Sequence, residues 1–297
     1  MERSQNMRLT IPEHEIMTPG HLACQGCGGA LAMRYMLKVF GKDTMLSIPA
    51  CCWAVIDGPF PYTSLNVPVF HTAFETAAIM ASGIKAGLMV QGKDTTNVVA
   101  WAGDGGTFDI GIQAISGAAE RNDDVTYIVY DNEAYMNTGI QRSSATPHGA
   151  WTTTTPVKHY KKGPKKNMAE IMAAHRIPYT ATASVGYPED FCKKLERAKN
   201  TKGFKFIHVL APCPTGWKSD PRFTIKLAKL AVQTNYFPLY EIIDGIHYKQ
   251  TVKVKERKPL KEYLKYQGRF KHLPEDQVQF LQDFVDENYE LLRMKLE

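Results

Sequence analysis

The sequence predicts an α/β protein: a doubly wound, mostly parallel sheet with a C-terminal extension. Short β-branched and aromatic runs alternate with longer segments of helical character. Each run is apolar enough to be covered on both faces, as the strands of a parallel sheet are. One of them ends in Gly103-Asp104-Gly105-Gly106, a glycine turn that leads into a helix. The chain has 297 residues, 44% of them hydrophobic and 22% charged, which is enough for a large buried core.

In chain order, the glycine-rich loop before Gly29 opens a helix to Phe40, and Met45 to Pro49 reads as the first strand. An Ala- and Gly-rich helix follows from Phe74 to Val90, then a strand from Asn97 to Ala102 and a helix from Ile110 to Glu120. The strand Val125 to Tyr130 precedes a stretch from Ser144 to Lys166 rich in Thr, Pro, Gly and Lys, which reads as a long functional loop. Helices Met168 to Ala174, Pro188 to Lys199 and Thr224 to Thr234 alternate with strands Tyr179 to Val185 and Phe206 to Leu210. These elements make one core domain, residues 1–236. Residues 237–297 read as an extension that packs on a partner subunit. It holds a short strand pair (Tyr240 to Ile243, Gln250 to Val254) and an amphipathic helix from Pro274 with Val278, Leu281, Phe284 and Val285 on one face.

No run approaches the roughly eighteen apolar residues of a membrane span, so no membrane contact is expected. The start, Met1-Glu2-Arg3-Ser4-Gln5, lacks a charged-then-apolar signal pattern, so a reducing, cytoplasmic setting is expected and the six cysteines are candidates for metal work. The net charge of +6 is too modest to announce nucleic acid, and it favours an acidic protein partner or a phosphate ligand. The basic run Lys158 to Lys166 is on its face a solvated loop, and it lacks the interleaved aromatics of a nucleic-acid surface.

A strand running through glycines into a helix is a phosphate-binding geometry. Glycines let the backbone approach a ligand, and the helix start offers unpaired N–H groups to an anion. Asp104 beside a bound diphosphate would be repelled unless a cation lay between, and Mg²⁺ takes oxygen ligands of this kind. A second oxygen ligand should follow the next strand, where Asp131-Asn132-Glu133-Ala134 stands. One right-handed crossover places both strand ends at the same edge. Cys24-Gln25-Gly26-Cys27, Cys51-Cys52 and Cys213 all fall in loops next to strand ends or a helix start. Four thiolates from such loops suit either a four-iron four-sulfur cluster or a structural zinc, and spacing alone does not choose.

Gly103-Asp104-Gly105 with Asn132, and the run Asp131-Asn132-Glu133-Ala134-Tyr135-Met136-Asn137-Thr138-Gly139, resemble the β subunits of the pyruvate:ferredoxin oxidoreductases, in the 2-oxoacid:ferredoxin oxidoreductase family. The likeness runs from about Pro19 to Trp217. It implies a thiamine diphosphate-binding fold in which Gly103, Asp104, Gly105, Gly106, Asn132, Ala134 and Asn137 meet the cofactor. Asp104, Asn132 and the Ala134 carbonyl would hold Mg²⁺, and Asn137 would reach the reacting end. It favours a four-iron four-sulfur cluster on Cys24, Cys27, Cys52 and Cys213, with the family's spacing selecting Cys52 over Cys51. The implied reaction is the reversible oxidative decarboxylation of pyruvate to acetyl-CoA and CO₂, with electrons passed to ferredoxin. The implied partners are α, γ and δ subunits, ferredoxin, pyruvate and coenzyme A, and Lys158 to Lys166 becomes a candidate docking face. The α subunit would supply the activating glutamate. Cys192 reads as core, His71 and His21 as helix-start and loop residues, and Glu75 as a partner of its own helix dipole. Branched-chain and 2-oxoglutarate enzymes share these motifs. A non-redox thiamine enzyme would leave four cysteines unexplained, and a zinc-stabilised binding protein ranks last.

Overall fold

A computed structural model describes residues 10–296, so the opening Met1 to Gln5 segment lies outside the described residues. The chain begins with α1 (Gly28–Phe40), β1 (Thr44–Pro49), the single turn α2 (Trp53–Ile56), β2 (Val69–Thr72) and α3 (Ala77–Val90). It continues with β3 (Asn97–Gly103), a π-helical turn (Gly105–Ile110), α4 (Ile112–Glu120), β4 (Thr126–Asp131) and α5 (Met168–Ala174). Next come β5 (Tyr179–Ser184), α6 (Pro188–Asn200), β6 (Lys205–Leu210), α7 (Pro214–Trp217) and α8 (Thr224–Gln233). It closes with β7 (Tyr240–Ile243), β8 (His247–Gln250), α9 (Lys261–Leu264) and α10 (Glu275–Arg293).

The strands form one eight-stranded sheet in the order β2-β1-β3-β4-β6-β5-β7-β8. The pairings from β2 through β5 are parallel, and β7 and β8 continue the sheet antiparallel. Every residue of β4, β5 and β6 is buried, as strands covered on both faces must be. Side chains alternate between the faces. Val99 and Trp101 of β3 join Met33, Met36 and Phe40 of α1 and Phe191 of α6 on one side. Val98, Ala100 and Ala102 join α3, α4 and α5 on the other. Pro188 at the start of α6, with Glu189 and Asp190 in the first turn and Arg197 and Lys199 in the last, explains that helix's clear ends.

Five details depart from the sequence reading. β2, only four residues with two of them exposed, carries too little apolar signal to be seen in advance. The helix expected from Phe74 begins at Ala77, and the one expected from Ile110 is preceded by the π-helical turn that starts directly after Asp104. The second strand of the C-terminal pair is His247–Gln250 rather than Gln250 to Val254, because Asp244 and Gly245 turn the chain in the left-handed region. The expected long loop is there but is not free: its residues 145–150 are buried. His148 ties it to α10 through Gln277 Oε1 at 3.0 Å. The strand pair of the C-terminal segment extends the main sheet, and Leu281 and Val285 of α10 bury against Trp217, Leu227 and Tyr263. No helix among the described residues is long and apolar enough to cross a membrane.

Candidate active site

The site lies where β1, β3 and β4 end. β1 and β3 are the neighbours at which the winding of the sheet reverses, and ligands of such sheets bind beyond the strand ends at that crevice. Gly103 of β3 sits opposite Tyr130 of β4, so Asp104 and Asn132 emerge side by side. Asp104 is buried, 1% exposed, rather than at a surface edge. Ser143 Oγ donates to its Oδ2 at 2.5 Å, and the Asn132 backbone N–H donates to its Oδ1 at 3.3 Å. The outer atom of the Asn132 amide lies 3.0 Å from both Asp104 Oδ1 and the Ala134 carbonyl oxygen. With nitrogen there, the amide donates to both. With oxygen there, three acceptors face one another, and only a cation satisfies them. Burial, and next the charge of Asp131, push the Asp104 carboxyl well above the ordinary carboxylate range, against the pull of Ser143 and Lys165. A cation among these oxygens favours the charged form instead.

A cavity of about 390 Å³ opens here, lined by Ala50, Cys51, Phe74, Gly105, Tyr135 and Asn137 among others. Its floor needs glycine. A Cβ on Gly105 would sit 2.3 Å from the Tyr135 ring, and one on Gly106 3.2 Å from the Phe74 carbonyl. Asn137 is exposed at the mouth. His71 and Glu75 do not line this cavity. His71 Nε2 instead meets Asp57 Oδ2 at 2.9 Å, and His21 Nδ1 accepts from the Ala23 N–H at 3.3 Å.

Behind the Asn132 loop stands a buried charge lattice that sequence reasoning did not find. Glu133, at φ 68°, is held by Lys165 at 2.7 Å and by the Tyr236 hydroxyl at 2.6 Å, both on Oε1, and by Arg269 on Oε2. Asp131 accepts the Glu133 N–H at 2.9 Å and pairs with Lys165 and with His208, the latter at 2.7 Å. Burial alone would raise both carboxyls, but their partners win: the Lys165 ammonium and the His208 hydrogen bond hold Asp131 down at about 2, and Lys165 and Arg269 lower Glu133. Lys161 spends its ammonium on the carbonyls of Ser144, Thr146 and Pro164, and Lys166 on that of Phe108. The basic run is therefore turned inward at Lys161, Lys165 and Lys166, and of its basic residues Lys158, His159 and Lys162 remain exposed. These partners lie as far as 136 positions apart, so no local signal announces them.

Five of the cysteines, Cys24, Cys27, Cys51, Cys52 and Cys213, share one corner beside the cavity. Cys27 caps α1, Cys52 precedes α2, and Cys213 caps α7. Burial pushes all three thiols up, Cys213 to about 11, and each is further raised by neighbouring cysteines: Cys52 by Cys51, Cys213 and Cys27, and Cys213 by Cys27 and Cys24. Backbone N–H groups of Gly29 and Ala30 reach Cys27, and that of Gly216 reaches Cys213 Sγ at 3.4 Å. Such donors suit anionic sulfur. Cys51 receives donors as well, from the Tyr130 hydroxyl and the N–H groups of Trp53, Ala54 and Gly103. No group of three or more His, Cys, Asp or Glu among the described residues is drawn tightly enough to hold a metal by itself. Cys192 is buried in the core against α1.

Residues 53–209 match the family model of the thiamine pyrophosphate enzymes' C-terminal TPP-binding domain. The ketoisovalerate oxidoreductase subunit VorB of Pyrococcus abyssi is 54% identical over 96% of this chain and 95% of that protein. The pyruvate synthase subunit PorB of Methanothermobacter thermautotrophicus is 51% identical over 96% of this chain and all of that protein. The chain belongs to the 2-oxoacid:ferredoxin oxidoreductase family. The 2-oxoglutarate:ferredoxin oxidoreductase of Magnetococcus marinus shares the fold, with a TM-score of 0.58 at 22% identity over 76% of this chain and 82% of that one. As a β subunit of a 2-oxoacid:ferredoxin oxidoreductase, the chain carries the thiamine pyrophosphate domain, and the matched segment includes β3, the glycine turn and the Asn132 loop.

Proposed function

We propose that this chain is the β subunit of a CoA-acylating pyruvate:ferredoxin oxidoreductase that binds thiamine diphosphate, Mg²⁺ and one four-iron four-sulfur cluster. The observation that carries this reading is the convergence of Asp104 Oδ1, the Asn132 amide and the Ala134 carbonyl on one point at the edge of a glycine-floored cavity, with a corner of thiols beside it. Asp104, Asn132 and Ala134 hold Mg²⁺. Gly103, Gly105 and Gly106 let the backbone approach the diphosphate. Asn137 offers its amide at the mouth, toward the reacting end, and Cys24, Cys27, Cys52 and Cys213 hold the cluster. When bound, these groups supply the chemistry by which a 2-oxo acid loses CO₂ and its electron pair leaves one electron at a time. The acyl group passes to coenzyme A, and the electrons pass to ferredoxin.

The exposed mouth fits a cofactor shared with a second protein surface, so α, γ and δ subunits complete the enzyme and the α subunit supplies the activating glutamate. Residues 237–297 serve subunit packing through the face of α10 that carries Phe280, 48% exposed. A cytoplasmic setting keeps the thiols reduced. A second reading, oxidation of a branched-chain 2-oxo acid, is favoured by the 54% identity to a ketoisovalerate subunit against 51% to a pyruvate one. The test is anaerobic assay of the assembled complex on a panel of 2-oxo acids. Pyruvate preferred by about tenfold or more in kcat/KM supports the first reading. The same preference for 3-methyl-2-oxobutanoate supports the second. Turnover by the isolated chain would refute the shared site.

A further inference from the structure

We propose that the indole N–H of Trp53 donates a hydrogen bond to sulfur of the cysteine-held cluster and raises its reduction potential. The inference rests on the reading of Cys24, Cys27, Cys52 and Cys213 as cluster ligands.

Trp53 directly follows Cys52, opens α2 and is fully buried. Its Nε1 has no hydrogen-bond partner among the described residues. A buried donor left without an acceptor costs free energy, so such a group in a native fold calls for an explanation. Trp217 Nε1 donates to the Asn132 carbonyl at 2.8 Å, whereas Trp101 Nε1, like that of Trp53, has no partner among the described residues. Trp53 faces different surroundings. A Cβ built on Gly29 would lie 3.7 Å from Trp53 Nε1 and 3.7 Å from Cys27 Sγ, so the indole nitrogen and the thiol border the same small space. The ring is fixed there by Trp101, which meets it edge-on at 6.2 Å and itself stacks on Tyr130 at 5.7 Å. Neighbouring sulfurs already receive backbone donors, from Gly29 and Ala30 at Cys27 and from Gly216 at Cys213. Trp53 adds a side-chain donor to that set.

An N–H aimed at sulfur stabilises the added electron of a reduced cluster more than the oxidised form, so the potential rises. Trp53→Phe keeps the ring and removes the donor. In the assembled complex, an EPR-monitored redox titration should show one component that disappears in Cys52→Ser. That component should move to a more negative midpoint in Trp53→Phe with iron content unchanged. An unmoved midpoint overturns the inference while leaving the cluster reading intact. A wild-type complex with no such component defeats the cluster reading and this inference together. If Trp53→Phe fails to hold iron, the wild-type complex built with ¹⁵N-indole tryptophan in this chain decides. A ¹⁵N coupling to the reduced component in pulsed EPR supports the bond, and its absence overturns it.

Discussion

Lys165 Nζ lies 2.7 Å from Glu133 Oε1, an ion pair inside the protein, and the same ammonium pairs with Asp131. Asn132 stands between those two carboxylates in sequence, so one cation from a distant loop clamps the backbone on both sides of a candidate Mg²⁺ ligand. Removing it takes a cation from two buried carboxylates at once, leaving Glu133 to Arg269 and Asp131 to the His208 ring. We expect Lys165→Met to lose about 3–5 kcal/mol of stability, the range for breaking a buried pair. Denaturant unfolding measures this. Lys165→Arg should recover part of it, because the charge remains although the reach differs.

Asp104→Asn separates fold from function. Burial and Asp131 raise the native carboxyl's pKa, so its charged form costs stability at neutral pH, and the neutral amide should leave the cofactor-free protein as stable or more stable. Mg²⁺-dependent thiamine diphosphate binding, followed by calorimetry, should be lost. Binding at the wild-type level would remove Asp104 from the metal set.

Gly105→Ala and Gly106→Ala should differ in severity. The first places a methyl 2.3 Å from the Tyr135 ring, which is held by Asp109 through a 2.8 Å hydrogen bond. We expect about 1–3 kcal/mol of destabilisation from that overpacking, with weaker cofactor binding. The second meets the Phe74 carbonyl at 3.2 Å, a milder conflict. Equal thermal shifts in the two variants would argue against the cradle geometry.

Cys52→Ser should lower iron content after anaerobic reconstitution, whereas Cys51→Ser and Cys192→Ser should keep it. The spacing of the family's ligands selects Cys52 over its neighbour, and Cys192 is buried in the core against α1. Iron lost at Cys51 and kept at Cys52 reverses the assignment of the neighbours.

Acid should act through Asp131. Its carboxyl is held at about 2 in the folded protein, below the ordinary value near ~3.9 of an unfolded chain. The depressed pKa means the stabilisation is fully present above about pH 4 and is lost as pH falls toward 2. Unfolding free energy measured across that window should fall, and the fall should flatten in Asp131→Asn.

Much of this chain is legible without coordinates. The parallel strands β1, β3, β4, β5 and β6 announce themselves because both faces are covered, so each is a short run of apolar and β-branched residues, even where β5 interleaves Thr180, Thr182 and Ser184. Asp104 and Asn132 could be paired in advance because one strand-helix-strand crossover delivers both to the same edge. Other features belong to tertiary structure alone. β2 is short and half exposed, and its pairing with β1, not its composition, makes it a strand. Lys165 reads as one charge in a basic run, and becomes a buried clamp only because the loop folds back over Asp131 and Glu133. The orphaned N–H of Trp53 is likewise invisible in sequence, since the absence of a partner is a property of the whole packed neighbourhood. Local pattern determines which segments are buried. The pairing of charges and donors is decided by contacts across tens to more than a hundred residues, as between Arg269 and Glu133, 136 positions apart, and only the folded chain contains them.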